Sequence, residues 1–83
     1  MRKKKKNLLR NPRASRDRVC PDGVLIEIDW ESFEPGTSIF IPAVNLNVLR
    51  SQMAVLLHKK GIRIKSAERI EGGLLGMRYW RVA

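Results

Sequence analysis

The sequence predicts an α+β domain over residues 21–83: a small antiparallel sheet in the order β-β-α-β-β, with one helix packed on one face. Three observations lead there. Apolar residues alternate along Val24–Trp30, the period of a strand with one buried face. Further on, Leu46, Leu49, Met53, Leu56 and Leu57 recur at helical spacing. Then Gly72-Gly73 separates two extended stretches as a two-residue hairpin loop. A chain of 83 residues has room for one such domain.

The N-terminal stretch is different in kind. Residues 1–18 hold nine bases against a single acid, Asp17, and show no apolar period. Like charges of this density resist compaction, so residues 1–20 read as a disordered basic tail. The run Met1–Lys6 has the positive start of a signal peptide, but Leu8-Leu9 is the whole of its apolar extent. The turn signal Pro21-Asp22-Gly23 opens the domain.

Within the domain, Val24, Ile26, Ile28 and Trp30 are expected to face the core from the first strand, with Leu25, Glu27 and Asp29 outward. Pro35-Gly36 fits a type II turn, where proline presets φ and glycine supplies the positive φ that follows. Residues 37–42 form a short second strand, ended by Pro42, which has no N–H to donate. Asn45 or Asn47 caps a helix that runs to Lys60. His58, Lys59 and Lys60 suit the negative end of its dipole, and Gly61 suits the residue that terminates it. Leu49, Met53, Leu56, Ile64, Met77 and Ile39 are the expected core.

The hairpin of residues 62–71 and 74–82 carries the functional expectation. A two-residue loop places Glu71 opposite Leu74 and so sets every later pair. One face then receives Ile62, Ile64, Ser66, Glu68 and Ile70 with Leu75, Met77, Tyr79 and Arg81, and the helix should cover it. The other receives Arg63, Lys65, Ala67 and Arg69 with Gly76, Arg78, Trp80 and Val82, counted as four bases, one tryptophan and no acid. Basic side chains on a ladder follow a phosphate backbone, and an exposed indole gives a base a surface to stack on. Gly76, without a side chain, is expected to let a ligand approach the backbone. The opposing expectation is a self-neutralised surface: were the strand at 24–30 to join the hairpin, Glu27 and Asp29 would pair with its bases, and Trp80 would lie against Lys65.

Charge distribution favours a polyanion partner. Residues 19–49 hold five acids and no base, and residues 50–83 hold eight bases against Glu68 and Glu71. The net charge of +9 thus rests mostly on the tail, where Lys3, Lys4, Lys5, Lys6, Arg10 and Arg13 would add salt-dependent, sequence-independent affinity for nucleic acid. No catalytic site is expected. His58 is the single histidine and sits where a helix dipole accounts for it, and Ser38, Ser51 and Cys20 lack an activating partner. One cysteine allows no internal disulfide, and no metal-ligand spacing or cofactor motif occurs. No window approaches the apolar length of a membrane span, so no membrane partner is expected and the expected location is cytoplasmic.

The stretch from Trp30 to Arg81 resembles small bacteriophage-encoded accessory proteins. The likeness lies in Pro35-Gly36-Thr37-Ser38-Ile39-Phe40-Ile41-Pro42, a helix bearing Arg50, then Gly61, a basic strand, a glycine turn and Gly76-Met77-Arg78-Tyr79-Trp80-Arg81. The resemblance implies an accessory role on host or phage nucleic-acid machinery, in a host cell's cytoplasm, and carries over no site residue. The leading expectation is therefore a nucleic-acid-binding accessory protein that uses the tail with Arg63, Lys65, Arg69, Arg78 and Trp80. The partner is DNA or RNA. The alternative is a protein-interaction module acting on a host or phage enzyme or assembly, since exposed tryptophan and arginine also dominate protein interfaces. A third is a subunit of a ribonucleoprotein or virion assembly.

Overall fold

The computed structural model describes residues 17–83. Its elements are β1 (Arg18–Val19), β2 (Ile26–Glu27), β3 (Ser38–Pro42), α1 (Leu46–Lys60), β4 (Ile64–Glu71) and β5 (Leu74–Arg81). β3, β5 and β4, in that spatial order, make a three-stranded antiparallel sheet, and β1 pairs with β2 in a separate two-stranded one. The class is α+β, as the sequence predicts.

The arrangement differs from expectation at the N-terminal end. The strand expected over residues 24–30 contracts to Ile26–Glu27, and its partner is Arg18–Val19, not the hairpin. Its continuation is cut short locally. The Asp29 carboxylate accepts from the Ser32 backbone N–H at 3.4 Å and its hydroxyl at 2.8 Å, while Phe33 N–H donates to the Trp30 carbonyl. A short acidic side chain that bonds the backbone nearby draws the chain into a turn. The expected alternation survives in part: Ile28 is buried, Ile26 and Trp30 are half-buried, and Val24 is exposed. Val19, expected within the tail, lies in the core at 1% exposure. Residues 1–16, which carry most of the expected disordered tail, lie outside the described residues.

Elsewhere local chemistry does what its residue types require. Gly72 and Gly73 take φ of 57° and 78°, the left-handed pair that a two-residue hairpin needs. The β4–β5 register runs from Glu71↔Leu74 to Ile64↔Arg81, as the loop length dictates. The Asn45 side chain caps α1 by accepting from Val48 N–H, and Gly61, at φ 69°, closes it. Thr37 N–H reaches the Glu34 carbonyl at 3.0 Å around the expected Pro35-Gly36 turn.

The core forms between α1 and one face of the sheet. Leu49, Met53 and Leu57 from the helix are buried with Ile41, Met77 and Tyr79 from the sheet, and Val19, Ile28, Phe33 and Ala43 complete the cluster. Ile39, Leu46, Leu56 and Ile64 pack against it half-buried. Ile70 and Leu75, expected beneath the helix, are instead 73% and 39% exposed. They lie at the hairpin tip, which runs past the helix.

The segment ahead of β2 is tied along α1 by polar contacts at three places. At the helix C-terminus the Asp17 carboxylate accepts from the Trp30 indole N–H at 2.8 Å and from Lys59 Nζ at 3.3 Å, with Lys60 Nζ at 3.9 Å. At mid-helix Cys20 N–H donates to Gln52 Oε1 at 2.7 Å. At the N-terminal end the Asp22 carboxylate accepts from the backbone N–H groups of Val44 and Asn45. Burial pushes the Asp17 carboxyl up. The indole and Lys59 hydrogen bonds and the charges of Lys59 and Lys60 outweigh it and hold the carboxyl below its ordinary 3.8.

Two outcomes are expected. A folded-state carboxyl held below its unfolded value contributes stability that is complete above about pH 4 and lost as pH falls through the lower folded value. Asp17→Ala should therefore cost roughly 1–3 kcal/mol at neutral pH and blunt the acid-induced loss of stability, read by denaturant titration between about pH 2 and 7. Leu49→Ala should cost about 2–5 kcal/mol, and Leu56→Ala, from a half-buried position, distinctly less on the same measurement. Equal losses would show that the helix face is misassigned.

Candidate nucleic-acid interface

Period-two alternation on β5 settles which residues share the outer face. With Met77 and Tyr79 directed into the core, Gly76, Arg78 and Trp80 point the other way. The β4 register then sets Lys65 beside Trp80, Ala67 beside Arg78 and Arg69 beside Gly76. Arg63 continues this side one pair further, where Val82 N–H donates to its carbonyl at 2.9 Å. Thus Arg63, Lys65, Arg69, Arg78 and Trp80 share one face, away from α1. Lys3, Lys4, Lys5, Lys6, Arg10 and Arg13 lie outside the described residues.

The third strand changes the content of that face. β3 sets Ser38 beside Trp80, Phe40 beside Arg78 and Pro42 beside Gly76. Phe40 therefore joins Trp80 as a second half-buried aromatic on the outer side. The Arg78 guanidinium sits 5.8 Å from the Phe40 ring centre, and Arg69 lies 5.8 Å from the Trp80 ring. The expected partner of Trp80 was Lys65. Arg69 takes that place, although its register partner on β5 is Gly76 and Lys65 is the residue paired with Trp80.

Two further expectations are corrected. The face does hold an acid: Glu71, two residues beyond Arg69, has the same parity. Arg78 donates to both its carboxylate oxygens, at 2.7 and 2.6 Å, and to Ser38 Oγ at 2.7 Å. The hydrogen bonds from Arg78, with the charges of Arg78 and Arg69, hold the Glu71 carboxyl below its ordinary value despite partial desolvation. The same contact raises the Arg78 guanidinium. Glu27 and Asp29, the neutralising acids foreseen for this face, belong to the other lobe, where Glu27 meets Arg18 at 3.5 Å.

Gly76 is the second correction. It is buried, and a Cβ there would meet the Ile41 carbonyl oxygen, with Phe40 Cζ and Pro42 Cα at 2.8 Å. The close approach its missing side chain permits is made by β3 of the same chain, so no bare backbone is offered to a ligand.

Phe40, Ser38 and Glu71 are the residues that sequence reasoning left off the face. Parity along β4 was a sufficient signal for Glu71. For Phe40, alternation with the expected core residue Ile39 gave its side of the strand, but only the strand order places it beside Arg78. Among the described residues, no cluster of histidine, cysteine and acidic side chains is arranged to hold a metal ion, and no helix is long and apolar enough to cross a membrane. No family model, no curated protein and no solved structure matches the chain.

Gly76→Ala should cost roughly 1–3 kcal/mol, because the added methyl meets backbone that cannot move aside without parting β3 from β5. Thermal melting checks this. An unchanged melting temperature would show that β3 packs less closely on β5 than described.

Proposed function

We propose that this protein is a nucleic-acid-binding accessory module, taking DNA or RNA on the outer face of its three-stranded sheet with added affinity from its basic N-terminal segment. One observation carries the reading. Of the nine bases among residues 17–83, six meet a carboxylate and a seventh a backbone carbonyl: Arg18 with Glu27, Arg50 with Glu68, Lys59 and Lys60 with Asp17, Arg69 and Arg78 with Glu71, and Arg81 with the Phe33 carbonyl. Arg63 and Lys65 form no such contact among the described residues, and both lie on the face that bears Trp80 and Phe40. Charges left without an internal partner, beside aromatic rings, favour a ligand with phosphates and bases.

The remaining charge lies upstream. Residues 17–83 hold nine bases against eight acids, whereas residues 1–16 hold eight bases and no acid. Long-range attraction to a polyanion therefore belongs to the N-terminal segment, and the sheet face supplies docking.

A protein-interaction reading has one observation in its favour. Ile70, Leu74 and Leu75 at the hairpin tip are exposed, and Ala43 N–H, bonded to the Leu75 carbonyl at 2.9 Å, brings exposed Val44 to the same end. Apolar side chains gathered at one end of a small domain suit a protein partner.

Binding to DNA and RNA oligomers, titrated over a range of salt, separates the two. Replacing Lys3–Lys6 by glutamine in the full chain should flatten the log–log salt dependence, by up to about 0.9 per lost phosphate contact on duplex and about 0.7 on single strands. Arg63→Gln with Lys65→Gln should weaken binding and flatten it further. Affinity and slope unchanged in both variants would favour the protein-partner reading.

A further inference from the structure

We infer that the ligand of the outer sheet face is single-stranded, and that one unpaired base is held between the Trp80 indole and the Arg69 guanidinium. This rests on the nucleic-acid reading above and adds the strandedness of the ligand and the place of the base.

Width argues against a duplex. A DNA major groove, about 12 Å across, admits a helix or a two-stranded ribbon. Here the hairpin is flanked by β3 along most of β5. Three strands at 4.7–4.9 Å spacing put the outer backbones about 10 Å apart before any side chain is added. Only the tip is two strands wide, and it carries exposed Ile70, Leu74 and Leu75 beside Glu71, whose carboxylate already holds Arg78, so it brings no free base to a phosphate backbone. The helix is no substitute as a groove reader. Arg50 is paired with Glu68, Lys59 and Lys60 with Asp17, and the rest of its exposed side is Asn47, Ser51, Ala54, Val55 and His58. A single strand has no groove to enter. It can lie across a broad sheet with its bases turned onto side-chain surfaces.

The two aromatic rings are not equivalent. Arg78 stands over Phe40 and is anchored by three hydrogen bonds to Glu71 and Ser38, so that ring stays covered. Arg69 stands over Trp80 with only a 3.8 Å contact to Glu71, and its side chain is 49% exposed. Rotating Arg69 breaks little and uncovers the indole. A base needs roughly 7 Å between the groups on its two sides, so the present 5.8 Å has to widen by only about 1–2 Å. Arg69 then stacks on the outer side of the base while keeping its charge near phosphate. Lys65, directly beside Trp80, and Arg63, two residues before Lys65, bring to this face the two bases that have no side-chain contact among the described residues.

The experiment uses the full chain and a labelled oligomer of mixed sequence, single-stranded or annealed to its complement, at moderate salt. Tighter binding of the single strand is expected. Trp80→Leu should lose roughly 5- to 150-fold on the single strand and little on the duplex, with folding checked by thermal melting. Arg69→Ala should also weaken single-strand binding. Tightening by Arg69→Ala would overturn the slot, since it would make Arg69 a competitor for the indole face. Equal binding of single strand and duplex, with no effect of Trp80→Leu, would overturn this inference and leave the broader nucleic-acid reading intact. Failure of the full chain to bind either form would remove both. Should Trp80→Leu fail to fold, the native slot is read directly in a Trp30→Phe background. Quenching of Trp80 emission by the single strand but not the duplex supports the slot, and saturable binding without a change in emission overturns it.

Discussion

The register of the β4–β5 hairpin is the constraint on which the rest depends. Two glycines at positive φ close the loop in two residues and leave no slack for a slip. Because side chains alternate, that register decides at once that Met77 and Tyr79 meet the helix and that Arg78 and Trp80 do not. A shift of one residue would put a guanidinium in the core and a tyrosine on the surface. The core is small enough that such an exchange would remove most of the sheet's share of it.

β5 then serves as the template for β3. The close approach of Ile41 and Phe40 to Gly76 is possible because no side chain stands there. This contact turns a ribbon into a sheet, and with it a basic strip into a face that holds two aromatics and an internally anchored arginine. Among the described residues the Tyr79 hydroxyl, buried on the inner side, meets no hydrogen-bond partner, and burial pushes its pKa up, with Arg50 pulling in the opposite sense. An unpaired buried hydroxyl costs stability, and it stands where the ring's packing holds sheet and helix together.

Electrostatics divides the molecule by function. Three acids of residues 17–34 hold the fold: Asp17 ties its segment to Trp30 and the helix C-terminus, Asp22 meets the N–H groups ahead of the helix, and Asp29 turns the chain. Those contacts keep most of the acids off the outer sheet face, leaving Glu71 alone among the bases. A nearly neutral folded part can thus present a local positive surface, which a charge total by itself does not reveal.

Local grammar was legible in the sequence because each rule involves neighbours only. The helix with an asparagine at its start, Asn45 or Asn47, and Gly61 at its end, the Pro35-Gly36 turn, the glycine hairpin and the two faces of β4 and β5 all follow from periods and φ preferences within a few residues. The residues of the candidate face on the hairpin came with them. Long-range pairing was not legible. Alternation along Val24–Trp30 says that one side of that segment is apolar, but not that its partner would be Arg18–Val19 in a separate sheet. Phe40 stands beside Arg78, Gly76 is filled by β3, and Arg78 is held between Glu71 and Ser38 only because the strands stand in the order β3-β5-β4. Strand order is chosen by the burial of whole faces against one another, a sum over distant residues that no window of sequence contains.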